Sequence, residues 1–190
     1  MIDIEQLKRD VNQEGYRIET YQDLKKLKSK DKNLIPILLK YLKSAEKNNE
    51  KEFFVRCLGV RGFTEATETL IEEFLTSENR ALKWAIGNTL SIILDKSRED
   101  DYIDIIKDKQ HGTTRQMFAV TLGKLKCEKA IPKLITLLND EEINGHVIMA
   151  LGYFNNYELV EKVKPFLEHD EKWIRREAEK SIKKLEKFKE

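Results

Sequence analysis

The side chains of this 190-residue chain with the strongest intrinsic chemistry are two thiols, three imidazoles and one acidic run. A cysteine attacks or ligates only as a thiolate, so its surroundings decide its use. Cys57 stands inside an apolar helical pattern and is expected to be a small buried hydrophobe. Cys127 opens a helix, where the thiol pKa is expected to fall, yet no histidine or asparagine nearby completes a nucleophile. His111, His146 and His169 lie in different segments, and none stands at ligand spacing from a cysteine or another histidine. The run Glu99, Asp100, Asp101 and Asp104 could hold a cation or a basic partner but lacks the spacing of a calcium loop. The alternative is a solvated helix start, where acids suit the helix dipole. No glycine-rich phosphate loop is present. These residues nominate no catalytic group, no metal ligand and no cofactor, and the chain is expected not to be an enzyme.

The more regular polar feature is a basic series, Arg17, Lys51, Lys83, Arg115 and Arg175. Each lies seven residues before an apolar anchor: Leu24, Leu58, Leu90, Leu122 and Ile182, with Asn144 filling the same place before Leu151. Four residues before the anchors stand Thr20, Phe54, Ile86, Phe118, Val147 and Ala178, five of them apolar. Residues four apart share one side of a 3.6-residue helix, so anchor and partner describe a buried stripe. Asn12, Glu46, Glu78, Asn139 and Asp170, five residues before the basic position, are expected N-caps. A second amphipathic run follows the anchors, as in 66–75, 130–140 and 159–170. An anchor spacing near 30 residues suits a unit of two short helices and two turns. Pro132 fits a first helical turn, whereas Pro36 is expected to kink its helix, and 95–111 reads as a weak helix.

Asp170-Glu-Lys-Trp-Ile-Arg-Arg-Glu-Ala-Glu-Lys-Ser-Ile182 resembles the HEAT-repeat pattern of Asp, then Val-Arg, then Ala, then Leu-Gly, and Leu122-Gly123 and Leu151-Gly152 supply its second half. Residues 122–140 resemble the short bacterial HEAT-like subtype also found in phycobilisome lyase-like proteins. The resemblance implies an all-α fold, an α-solenoid of about six helix pairs in a right-handed superhelix with the second helices lining a concave face. It covers most of residues 13–187. The whole chain, 1–190, is expected to form one such domain, with a capping pair at 1–28 and a charged capping helix at 171–190. One helix pair cannot bury its apolar face alone, and stacking supplies the cover.

Composition agrees. Charged residues are 36% of the chain, but 35 basic side chains face 34 acidic ones, and 8 Gly with 3 Pro leave few turns for an all-β fold. The net charges of residues 1–50, 51–110 and 111–190 are +2, −3 and +2, so no basic tail favours nucleic acid. The N-terminus has no apolar targeting core, no run approaches a membrane span, and two cysteines make no disulfide framework. A cytoplasmic monomer with no membrane partner is expected.

Trp84-Ala-Ile-Gly-Asn88 places Trp and Asn on one helix face. The string resembles the Trp and Asn pairs that line the groove of armadillo-repeat peptide carriers, although it occurs here once. If the helical phase holds, Tyr21, Val55, Trp84, Gly87, Ala119, Val120, Ile148 and Met149 form a semi-apolar outward strip, the alternative being that stacking buries them. The leading expectation is a noncatalytic scaffold that binds a protein or peptide through Tyr21, Arg56, Lys83, Trp84, Asn88, Arg115, Val120 and Met149. The alternative is a basic nucleic-acid groove built from Arg17, Arg56, Lys83 and Arg115, like that of HEAT-like DNA glycosylases. The basic series has a second reading, as side chains tied to acids and carbonyls of neighbouring units.

Overall fold

The computed structural model describes residues 2–189; helix makes up 76% of the chain, and no strand occurs among the described residues. The all-α class is as expected. The chain divides into two compact units, Met1–Asp95 and Lys96–Glu190.

The first unit begins with α1 (Ile4–Gln13), capped by Asp3, whose carboxylate accepts the Gln6 N–H at 3.0 Å. Leu7 and Val11 are its buried face. Its partner is a short 3₁₀ helix, Tyr21–Lys26, rather than an α-helix. Asp23 accepts the Thr20 N–H at 2.9 Å and closes its first turn. Two helix pairs follow: α2 (Ile35–Ser44) with α3 (Asn48–Cys57), and α4 (Thr67–Thr76) with α5 (Arg80–Ile93). α2 packs on α3, α4 on α5, and α3 on α5. Phe54, Leu58, Leu70, Phe74, Ile86 and Leu90 are essentially sealed from solvent there. Each such side chain gains about 1.5–3 kcal/mol from burial. Pro36 sits in the first turn of α2 and does not kink it, because the N–H it lacks has no partner in that turn. The cap of α5 is Asn79, one residue beyond Glu78; its side chain accepts the Leu82 N–H at 2.9 Å. The cap positions of α3, α9 and α11, Lys47, Ile143 and Glu171, carry no side-chain cap bond.

The second unit repeats the arrangement with α6 (Glu99–Lys107) and α7 (Gln116–Leu125), α8 (Ile131–Leu137) and α9 (Asn144–Leu151), α10 (Val160–Val163) and α11 (Lys172–Leu185). α7 packs on α9 and α9 on α11. α6 is a full helix despite its acids, since Tyr102, Ile103, Ile105 and Ile106 bury one side of it. α10 passes into a 3₁₀ segment, Lys164–Glu168, at Pro165, which has no N–H to continue the α ladder.

Five of the six anchors are fully buried, Ile182 being half-exposed. Two repeat positions set how closely second helices approach. A Cβ on Gly123 would lie 2.4 Å from the Ala150 carbonyl oxygen, and one on Gly152 would lie 2.4 Å from Ser181 Oγ. One residue before the anchor, a hydroxyl reaches across to the neighbouring backbone: Thr89 donates to the Val55 carbonyl at 3.1 Å, and Ser181 to the Ile148 carbonyl at 3.0 Å. Both bonds are buried and fix the register of one second helix on the last.

Candidate functional site

The expected binding residues divide into those held in solvent and those used by the core. Trp84 is 46% exposed on α5. Ile92, two turns on, is 47% exposed, and half-buried Asn88 lies between them, its amide donating to the Trp84 carbonyl at 2.9 Å. Lys83 is half-buried, its Nζ 4.9 Å from the centre of the Phe74 ring. Met149 is half-buried on α9.

Arg115 and Val120 are not surface residues. Arg115 has no solvent exposure, and Val120 is 1% exposed on α7, which has α6 packed on one flank and α9 on another. Val55, Gly87, Ala119 and Ile148 are buried as well, so the outward strip is much narrower than the sequence suggests. The second helices stack flank to flank, as the Thr89 and Ser181 bonds require, and those flanks cover Val55, Ala119 and Ile148, three before their anchors, while Tyr21 and Glu179 at the same place stay exposed.

The basic series is structural at most of its places. Lys51 pairs with Glu73 at 2.5 Å, linking α3 to α4. Arg175 donates to the carbonyls of His169 and Asp170 ahead of its helix. Arg115 donates to the carbonyls of Gly112 and Ile106 and to the carboxylates of Asp140 and Glu142. Arg17 alone of the series is exposed.

Tyr21 and Arg56 come together in the first unit. They line one cleft of about 520 Å³, with Phe53, Lys25, Glu50 and Glu52 among its other walls. The Tyr21 and Phe53 rings meet edge to face, 4.9 Å between centres. Lys25 Nζ lies 5.4 Å from the Phe53 ring centre. Arg56 Nε and Nη2 both donate to Glu52 Oε1, at 3.0 and 2.6 Å. Phe53 is the residue that the sequence reading passed over. Its signal is the doublet Phe53-Phe54: neighbours in a helix point about 100° apart, so only one of the pair can share the buried stripe.

No protein-family model matches the chain, and no curated protein matches it. In structure it is similar to the crystal structure of an engineered protein from the Northeast Structural Genomics Consortium, with a TM-score of 0.59 and 14% sequence identity. The match covers 99% of this chain and 98% of that one. At this identity the likeness concerns the fold alone.

The thiols are shifted away from reactivity. Burial pushes Cys57 up to about 12. Cys127 goes up to about 11 through burial and its bond to Glu99, the reverse of the fall expected at a helix start. Burial lowers the His146 pKa, opposed in part by Glu177. The acids of the 99–104 run behave as a helix start: Asp101 pairs with Arg98 at 2.6 Å and Asp100 with Lys129 at 2.7 Å. Among the described residues no group of three or more His, Cys, Asp or Glu could hold a metal ion, and no helix is long and apolar enough to cross a membrane.

Proposed function

We propose that this chain is a noncatalytic interaction module, an α-solenoid of HEAT-like helix pairs that holds a protein or peptide against the solvent side of its second helices. One observation carries the reading. α5 is sealed into the core along Leu82, Ala85, Ile86 and Leu90, yet holds Trp84 and Ile92 out in water. Large exposed apolar side chains on a rigid helix are what a protein-binding surface offers, and tryptophan is the residue most often found at its centre. Both thiols are buried with raised pKa values, which agrees with binding rather than covalent chemistry. A basic nucleic-acid groove has less support, since Arg56, Lys83 and Arg115 are engaged by Glu52, Phe74 and the Asp140 site.

The test is affinity purification from the native host with tagged wild type and the double variant Trp84→Ala, Ile92→Ser. Loss of the recovered partner by roughly tenfold, with an unchanged helical circular-dichroism spectrum, supports the surface. Equal recovery by the folded variant removes it. Salt-sensitive duplex binding by the wild type would instead favour the nucleic-acid reading.

A further inference from the structure

The cleft in the first unit gives the partner a chemistry, an inference that rests on the interaction reading above. The cleft is bounded by α1, the 3₁₀ helix and the start of α3, and its polar groups are unequally satisfied. Arg56 and Glu52 neutralise each other. Lys25 is exposed, so water solvates its ammonium while it rests over Phe53. Glu50 differs. Its Oε2 is shut off from solvent and has no hydrogen-bond partner. A carboxylate oxygen held without a donor costs far more than an exposed ammonium left in water. The unmet demand of the cleft is therefore for a cationic donor and not for an acid.

The aromatic walls suit the same occupant. Tyr21 is 36% exposed and Phe53 half-exposed, and ring faces attract ammonium and guanidinium groups. Lys25 already shows that the Phe53 face accepts an ammonium. The large cleft of the second unit makes no such demand. There Lys126 donates to Asn155 Oδ1 at 2.9 Å, Asn156 caps the Glu158 N–H at 2.9 Å, and Lys189 lies over Tyr157.

We infer that the Tyr21–Phe53 cleft receives a lysine or arginine side chain of the partner polypeptide. The apolar stem lies along the two rings. The charged end is completed by the carboxylate of Glu50, whose half-exposed side chain lines the cleft.

The full-length ¹⁵N-labelled protein, titrated with acetyl-Gly-Lys-Gly-amide, acetyl-Gly-Arg-Gly-amide and the norleucine and glutamate counterparts, tests this. The expected result is saturable shifts of the Tyr21, Glu50 and Phe53 amides with the two basic peptides, roughly tenfold weaker with norleucine. Glu50→Gln should weaken the basic peptides by a similar factor without lowering the melting temperature. Trp84→Ala should leave the peptide response intact. Equal response to norleucine, preference for the glutamate peptide, no response at all, or indifference to Glu50→Gln overturns the inference. Loss of the native partner by the α5 variant would still stand in each of those cases, so the two readings fail separately.

Discussion

Arg115 and Asp140 meet through a 2.9 Å bond from Nη2 to the carboxylate, which ties the start of α7 to the turn ahead of α9. The guanidinium is fully buried, and its Nε, Nη1 and Nη2 reach four acceptors: Gly112 O at 2.9 Å, Ile106 O at 3.1 Å, Asp140, and Glu142 at 3.2 Å. One planar fork thus joins the end of α6, the turn before α7 and the segment leading into α9. Gly112 makes room for this with φ of 53°, a conformation that a side chain would resist.

Replacing Arg115 should therefore unfold the second unit far more easily than a surface change would. Arg115→Met removes every donor and leaves the Asp140 charge and two carbonyls facing apolar surroundings. The expected loss is about 3–5 kcal/mol. Arg115→Lys should recover only part of it, because an ammonium cannot reproduce the fork. Urea unfolding followed by circular dichroism reads both, and a loss for Arg115→Met below about 1 kcal/mol would contradict the arrangement.

Two substitutions near the end of α7 should move stability in opposite directions. Gly123→Ala places a methyl 2.4 Å from Ala150 O and 2.6 Å from its Cα, both backbone atoms of α9 that cannot turn aside. Separating the helices should cost roughly 1–3 kcal/mol. Lys126 ends the helix at φ of 54°, with the Lys126 N–H on Gly123 O and the Cys127 N–H on Leu122 O. That closure prefers glycine, so Lys126→Gly should gain about 1 kcal/mol, less the exposed bond to Asn155. Melting curves of the two variants should bracket the wild type.

His146 should make the protein acid-sensitive. Burial lowers its pKa below the 6.5 of an unfolded histidine, and its Nδ1 is buried without a partner. The unfolded chain therefore binds more protons as pH falls through 6.5, and native stability declines from there toward the lower folded value. Melting temperatures measured from about pH 7.5 to about pH 5 should fall less steeply for His146→Gln than for wild type. Parallel profiles would mean that His146 titrates normally.

The buried stripe of the second helices was legible because apolar residues recur four apart: Phe54 and Leu58, Ile86 and Leu90, and Phe118 and Leu122 all lie in the core. What a single helix cannot disclose is which flank its neighbour covers. Val55, Ala119 and Ile148 look outward on a helical projection and are buried by lateral stacking. Arg115 is indistinguishable by type from Arg17 at the same repeat position, yet one is sealed and the other exposed. The difference lies in Asp140 and Glu142, 25 and 27 residues away, which no local pattern connects to it. Of the expected binding residues, Tyr21, Arg56, Lys83, Trp84, Asn88 and Met149 keep some solvent exposure, and Arg115 and Val120 do not. The cleft that joins the first two needed Phe53, whose role depends on where the 3₁₀ helix places Tyr21.

The indole of Trp173 occupies the space that a side chain at position 145 would fill: a Cβ on Gly145 would lie 1.9 Å from its Cη2. Its ring also stands 5.8 Å from that of His146. Since α9 packs on α11, the optical environment of this indole changes with any parting of those two helices. The chain's other indole, Trp84, belongs to the opposite half of the sequence. Each compact unit thus carries one indole, and removing either leaves a chain whose tryptophan emission reports on the unit that keeps its own.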